Sequence, residues 1–278
     1  MEHHDNRNSS PQAVPVDQHK WSPGQGAVQG GPAGATPSVQ GGPAGSPPPV
    51  LECRRLSKVY GAVRALDEVE LKVDRGRIVG LLGPNGSGKT TLIKTAAGLL
   101  TPSSGELLVN GLRPCAGTKL AVSYLPERTY LADWMRVRDV LDIFRDFYQN
   151  FDRQKALEML SRLHIGLGDR LRTMSKGTRE KVQLILVMSR KADLYLLDEP
   201  IGGVDPAARD FILGTIIANY SEDATVLLST HLIGDVEKIL DDVIFLSYGK
   251  IGLVSPVDDI RENQGKSVDE LFREVYRC

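Results

Sequence analysis

The chain has 278 residues, enough for one large domain or two small ones, and its formal net charge at pH 7 is -1. This balance gives no global attraction to nucleic acid or anionic lipid, so no nucleic-acid partner is expected. Cys53, Cys115 and Cys278 form no CxxC pair, which argues against a disulfide framework and a zinc site. No apolar stretch approaches the roughly 18 residues needed to cross a bilayer, and no signal-peptide pattern is present.

Residues 1–49 are rich in Gly, Pro, Gln and Ser and contain few large apolar residues. The heptapeptide VQGGPAG occurs at residues 28–34 and again at residues 39–45. Because such a composition buries too little apolar surface to offset the entropy of ordering, the sequence predicts a disordered tail. An interaction motif within the repeat is the alternative.

Regular structure is predicted from about Val50. The alternation of apolar and charged residues over 69–73 indicates a half-exposed strand, whereas residues 78–82 (IVGLL) are apolar on both faces, as in a buried parallel strand. This strand leads into a Gly-rich loop, and a helix follows over about 89–97, closed by Gly98.

The middle of the chain is predicted to be an inserted α-helical subdomain over about 131–190. Its large apolar residues follow helical spacing over 137–151, a second helix is expected over about 153–164, and a third contains Val182 and Ile185. The aromatic residues of the first helix favour a packed core, with a ligand groove as the alternative.

Strand patterns return at residues 194–197 and 225–229, and a hairpin is predicted over 243–254 with its turn at Tyr248, Gly249 and Lys250. Residues 256–278 are expected to form a short helical segment, in which Ser267 and Glu270 make a capping-box pattern. Alternating strands and helices predict an α/β fold with a mainly parallel sheet covered on both faces.

The Gly-rich loop fits the pattern G-x-x-x-x-G-K-[ST] between a buried strand and a helix. Glycines let successive N–H groups point at phosphate oxygens, and the helix N-terminus adds a positive partial charge. Lys89 would supply a mobile cation for the β- and γ-phosphates of ATP, and the Thr90 hydroxyl would be a ligand of Mg²⁺. The nucleotide-binding residues predicted here are Gly83, Pro84, Asn85, Gly86, Ser87, Gly88, Lys89, Thr90 and Thr91.

Two carboxylates, Asp198 and Glu199, follow the apolar strand at residues 194–197. At the carboxyl end of a strand in an α/β sheet such groups face the ligand crevice. We expect Asp198 to hold Mg²⁺ through its water shell and Glu199 to act as the general base. His231 also follows a strand and is expected beside the crevice. The alternatives are a surface turn for the two acids and an ordinary polar residue for the histidine.

Together these motifs resemble the nucleotide-binding subunit of ABC transporters over about residues 50–255, which implies an ABC ATPase domain with the P-loop NTPase (RecA-like) fold and an antiparallel β part. Residues 83–90 resemble its Walker A motif, residues 194–199 its Walker B motif, and residues 202–205 its D-loop. The resemblance further implies that Tyr60 stacks on adenine and that His231 senses the γ-phosphate. For Tyr60, an ordinary strand-end tyrosine is the alternative.

Residues 174–178 (MSKGT) are similar to the family's signature motif, usually LSGGQ, which caps the γ-phosphate bound by the opposite subunit. This implies nucleotide contacts for Ser175, Lys176 and Gly177, although Lys176 replaces a glycine and a solvent-facing lysine is the alternative. Glu127 stands where the family usually has a glutamine, which implies an oxygen ligand for Mg²⁺ that adds a charge beside the ion and the phosphates. Both departures resemble ABC-2-type bacterial exporter subunits.

The resemblance therefore implies a subunit that binds and hydrolyses ATP at the cytoplasmic face of the cell membrane. It would pair with a second ATPase subunit, identical or related, and power a separate transmembrane permease in export. Two rival hypotheses are a soluble ABC ATPase acting on ribosomes or DNA and a slow regulatory nucleotide sensor. The cargo is not predicted, because the permease selects it.

Overall fold

A computed structural model describes residues 48–220 and 223–276, so the predictions made for residues 1–47 and for Cys278 lie outside the described residues. Three strands form an antiparallel sheet in the order β2-β1-β4, namely β1 (Leu51–Tyr60), β2 (Val63–Val73) and β4 (Ser104–Val109). Six strands form a second sheet, in which β3 (Ile78–Leu82), β5 (Val122–Leu125), β6 (Leu194–Asp198), β7 (Thr225–Thr230) and β8 (Asp242–Ser247) are parallel and β9 (Lys250–Pro256) is antiparallel.

Eight helices accompany these sheets in the described part of the chain. They are α1 (Lys89–Ala96), α2 (Val137–Phe147), α3 (Arg153–Arg162), α4 (Lys176–Met188), α5 (Pro206–Asn219), α6 (Ile233–Val236), α7 (Val257–Gln264) and α8 (Val268–Val275). The predicted α/β fold, with its mainly parallel sheet, antiparallel part and mid-chain helices, is thus confirmed. Strands β1, β4 and β5 and helices α5 and α6 have no specific counterpart among the predicted elements, whereas α7 and α8 both lie in the predicted C-terminal helical segment.

The order of the larger sheet, β5-β6-β7-β3-β8-β9, decides where the site lies. Strands β3, β6 and β7 are neighbours, and every residue of the three is buried, which explains their apolar composition on both faces. Because parallel strands end at the same edge of a sheet, the loops that follow these three strands meet at that edge.

The predicted helix over residues 137–151 is too long, because α2 ends at Phe147. Tyr148 is extended, with φ -124° and ψ 102°, and its ring lies 3.8 Å from the guanidinium carbon of Arg190. Asn150 then donates its side-chain amide to the carbonyls of Leu120 and Lys191. A helix that continued to residue 151 would place Tyr148 and Asn150 away from these partners. The contacts with distant segments therefore end α2 about one turn before the predicted end.

Helices α2, α3 and α4 lie between β5 and β6 in the chain and share one hydrophobic core with the larger sheet. This core contains Leu141, Leu160, Leu186 and Leu197. The hairpin of β8 and β9 is confirmed, but its turn contains only Tyr248 and Gly249, because Lys250 is the first residue of β9. The capping box at Ser267 and Glu270 is confirmed as well. No helix in residues 48–220 and 223–276 is long and apolar enough to cross a membrane.

Candidate functional site

The loop between β3 and α1 is held in a conformation that requires glycine at residue 88. Gly88 has a φ of +110°, and a Cβ at this position would lie 2.4 Å from the carbonyl oxygen of Ala65. The carbonyl of Ser87 accepts a hydrogen bond from the Gly249 N–H at 3.0 Å, so the β8–β9 turn braces the loop. The Ser87 hydroxyl is buried without a partner, and no side chain caps α1. These unpaired donors at a helix N-terminus suit an anion.

Lys89, the first residue of α1, is buried beneath this loop. Its Nζ donates to the carbonyl oxygens of Gly83 at 2.8 Å and Pro84 at 3.2 Å, and lies 3.7 Å from Glu199 Oε1. Burial lowers the pKa of Lys89, and the negative charges of Glu199 and Asp198 oppose that shift. The lysine thus joins the loop to the carboxylates at the end of β6.

Asp198 lies at the centre of a buried polar cluster. Its Oδ1 accepts hydrogen bonds from Thr90 Oγ1 at 3.1 Å and Ser229 Oγ at 2.8 Å, whereas its Oδ2 is buried without a partner. Burial raises the pKa of Asp198, while these two hydrogen bonds lower it. A buried carboxylate oxygen with no donor is costly unless a cation or a proton faces it. The cluster therefore fits a hard cation that prefers oxygen ligands.

Glu199 follows directly and adopts a φ of +49°, a conformation uncommon for this residue type and concentrated at functional sites. Its N–H donates to the carbonyl and to the hydroxyl oxygen of Ser229, both at 3.1 Å. This geometry directs the carboxylate toward His231, whose Nδ1 lies 2.9 Å from Glu199 Oε2. The sequence analysis missed Ser229, although a polar residue near the carboxyl end of a buried strand was a usable signal.

Glu127 follows β5 and belongs to the same electrostatic environment. Burial has the largest effect on the pKa of both Asp198 and Lys89, and the negative charge of Glu127 raises the pKa of each. Glu127 also lines the main cavity. Glu127 is therefore close enough for its charge to act on the buried cluster.

A cavity of about 930 Å³ brings most of the predicted residues together. Its walls include the loop from Asn85 to Thr91, and also Glu127, Lys176, Glu199 and His231. Gly83, Pro84, Asp198, Tyr60, Ser175 and Gly177 do not line it. The sequence analysis did not predict Ala65, Arg128, Thr129, Arg179 and Glu180, which also line the cavity. Arg128 and Thr129 adjoin Glu127, and Arg179 and Glu180 lie about one turn after Ser175, so proximity in sequence was the available signal for these four, whereas Ala65 had none.

The predicted residues outside the cavity have other contacts. Ser175 is the N-cap of α4, and its hydroxyl accepts from the Thr178 N–H at 3.1 Å. Tyr60, at the end of β1, is 44% exposed, and the ammonium of Lys58 lies 5.2 Å from its ring centroid. Neither Ser175 nor Tyr60 lines the cavity, although Lys176, which directly follows Ser175, does.

Comparison with known proteins agrees with this geometry. The family model "ABC transporter" matches residues 66–202. The ABC transporter ATP-binding protein YtrB of Bacillus subtilis is 30% identical over 216 residues, which cover 77% of this chain and 74% of that protein. The Nod factor export ATP-binding protein I of Cupriavidus metallidurans is 30% identical over 232 residues, which cover 80% of this chain and 77% of that protein.

Among solved structures, an ATP-binding subunit of an ABC transporter superposes with a TM-score of 0.74 at 32% identity, and the match covers 81% of this chain and 99% of that one. The P-loop NTPase fold and the nucleotide-binding character of the chain follow from these matches and from the loop geometry. The chain belongs to the family of ABC transporter ATP-binding proteins, and it is an ATP-binding subunit of a transporter.

Proposed function

We propose that this subunit hydrolyses ATP and that the hydrolysis powers a separate membrane permease. The observation that carries the proposal is the position of the Glu199 carboxylate. One oxygen lies 2.9 Å from His231 Nδ1 and the other 3.7 Å from Lys89 Nζ, beside the hydrogen-bonded pair of Thr90 and Asp198. A carboxylate between a phosphate-binding cation and a histidine is suited to accept a proton from an attacking water.

The phosphates would be bound by the backbone N–H groups of residues 83–91 and by the ammonium of Lys89. Mg²⁺ would be held by Thr90 and Asp198, whose unpartnered Oδ2 is the available oxygen, with Glu127 facing the ion from the loop after β5. When bound, the ion neutralises negative charge on the phosphates. The loop residues and Lys89 would then hold the nucleotide in one orientation.

Glu199 is proposed as the general base, and its fixed backbone is central to this role. The two hydrogen bonds from its N–H to Ser229 hold the residue in place, while His231 contacts the carboxylate. His231, about half exposed on the cavity wall, would contact the γ-phosphate as well. Tyr60 is proposed to stack on the adenine ring, which its partial exposure permits.

We also propose that two ATPase subunits face each other, so that Ser175, Lys176 and Gly177 of one chain contact the nucleotide of the other. The exposure of the α4 N-terminus supports this arrangement. Residues 50–255 would form the ATPase domain, peripheral at the cytoplasmic face of the membrane. Export is the proposed direction, since the relatives include two proteins named for Nod factor export.

The test is Glu199→Gln, which removes the basic oxygen and keeps the shape of the side chain. We expect kcat for ATP to fall about 10²- to 10⁴-fold while ATP still binds. Glu158→Gln, on the exposed side of α3, is the matched control and should retain the wild-type rate. A wild-type rate in Glu199→Gln would exclude the general-base role.

The rival hypotheses predict different results. No measurable turnover by the wild type, even with its permease present, would favour a nucleotide sensor. Retention on ribosomes or DNA, without a co-purifying membrane protein, would favour a non-transport ATPase. Identifying a membrane protein that co-purifies with the chain would support the transport role and reveal the candidate permease.

A further inference from the structure

The position of Lys176 is not explained by local helix stability. It is the first residue of α4, and the first turn of this helix contains no acidic residue. A cation at a helix N-terminus is opposed by the positive end of the helix dipole. Its partner Glu180 follows it by four residues, the less favourable order for such a pair. A residue that local structure disfavours suggests a function.

Lys176 lines the cavity that also contains the phosphate loop and Glu199. Its Nζ lies 3.6 Å from Glu180 Oε1 and 3.2 Å from the position that a Cβ on Gly203 would occupy. The lysine side chain therefore lies over the loop that follows β6, held toward its own helix. Because this side chain is 71% exposed, few contacts prevent it from moving to another anion.

Glu180 is less exposed than its partner. Its side chain is 21% exposed, and its Oε2 is buried without a hydrogen-bond partner. Burial raises the pKa of Glu180, while the positive charges of Lys176 and Arg179 lower it. Arg179 has its NH1 group 2.7 Å from Asp133 Oδ1. An anion of greater negative charge could therefore draw the Lys176 ammonium away from Glu180 and leave this carboxylate without the pair.

We propose that Glu180 is a positioning residue that holds Lys176 away from the nucleotide and competes with phosphate for its ammonium. The inference rests on the proposed function, in which a nucleotide phosphate reaches this part of the cavity. A phosphate carries more negative charge than a carboxylate and attracts the lysine, but the transfer leaves the partly buried Glu180 unpaired. Glu180 therefore weakens phosphate binding by the cost of breaking the pair.

The first experiment is Glu180→Gln, which keeps the shape and removes the competing charge. We expect the affinity for the ATP analogue AMP-PNP with Mg²⁺ to rise about two- to fivefold, the range for a partly exposed ion pair. The KM for ATP should fall by the same factor, while kcat changes less than twofold. Unchanged or weaker binding would overturn the proposal.

The second experiment asks whether Glu180 acts through Lys176. In a Lys176→Ala background, Glu180→Gln should leave the affinity for AMP-PNP unchanged. If it still strengthens binding there, Glu180 acts by another route and the proposal is wrong. Asp269→Asn is the matched control, because Asp269 pairs with Arg273 at the same spacing on α8, away from the cavity.

Two further comparisons show which chain binds the phosphate and whether a negative result contradicts this inference or the proposed function. The affinity for AMP-PNP is therefore measured at high and at low protein concentration. If Lys176 contacts a phosphate bound by its own chain, the effect of Glu180→Gln persists on dilution. If the phosphate is bound by a second copy, the effect declines on dilution. A wild type that does not bind AMP-PNP would contradict the proposed function itself. Normal binding by the wild type with no effect of Glu180→Gln would contradict only this inference.

Discussion

The two sides of the cavity differ in where their polar groups find partners. On the phosphate-loop side, Lys89 is 6% exposed and bonded to two loop carbonyls, and Thr90 is bonded to Asp198. On the α4 side, Lys176 is exposed, and the Ser175 hydroxyl bonds within its own first turn. One side is therefore organised within the chain, whereas the other presents its groups outward. This difference supports the proposal that a second subunit completes the site.

The largest expected effect on nucleotide binding comes from the phosphate-loop side. Lys89→Ala should weaken ATP binding roughly a hundredfold, because a hydrogen bond to a charged group contributes about 1.5–3 kcal/mol. Equilibrium binding of ATP with Mg²⁺ measures the change. Lys94→Ala, on the same helix and outside the cavity, is the control and should bind normally. Tight binding of ATP by Lys89→Ala would mean that the phosphate-loop side does not hold the phosphates.

A smaller effect is expected when the loop backbone is disturbed without removing charge. Gly86 has a φ of +80° with open space around it, whereas a Cβ on Gly88 would approach the Ala65 carbonyl. Gly86→Ala should lower the free energy of unfolding by about 1–2 kcal/mol, the cost of left-handed backbone for alanine. Gly88→Ala should cost more and also weaken ATP binding, because the loop must shift.

Urea unfolding and ATP titration of both variants measure this difference. If Gly88→Ala and Gly86→Ala behaved alike, contact with the Ala65 carbonyl would not fix the loop. The phosphate-loop side would then be less rigid than its hydrogen bonds indicate.

The sequence predicted the phosphate-loop side well because its pattern is local. A buried strand, a loop of fixed spacing and a helix are adjacent in the chain, so β3, residues 83–88 and α1 could be found together. Asp198 and His231 are distant in sequence, but both follow apolar strands, and parallel strands end at one edge of a sheet. Their proximity was therefore predictable from topology.

The α4 side was less predictable because its contacts depend on how helices pack. Arg179 and Glu180 follow Ser175 closely in sequence, but no hydrophobic periodicity shows that they face the cavity of the phosphate loop. The early end of α2 has a similar origin, since the stacking of Tyr148 on Arg190 joins segments about forty residues apart. Periodicity describes one helix at a time, so it cannot predict contacts between elements.

The smallest expected effect tests whether the α4 side acts beyond its own helix. Ser175 and Ser267 each accept a hydrogen bond from the N–H three residues later, both at 3.1 Å. Replacing either serine by alanine should therefore lower the free energy of unfolding by a similar amount, about 1 kcal/mol. Urea unfolding of the two variants measures this loss of free energy and shows whether the two N-caps contribute equally to stability.

The second quantity separates the two serines. If Ser175 also contacts the nucleotide of a second subunit, Ser175→Ala should reduce ATP-dependent dimer formation, measured in the Glu199→Gln background by light scattering. Ser267→Ala should not, because Ser267 begins α8, outside the cavity. Equal dimer formation by the two variants would limit Ser175 to capping α4. A selective loss in Ser175→Ala would show that the exposed side of the cavity acts on another chain.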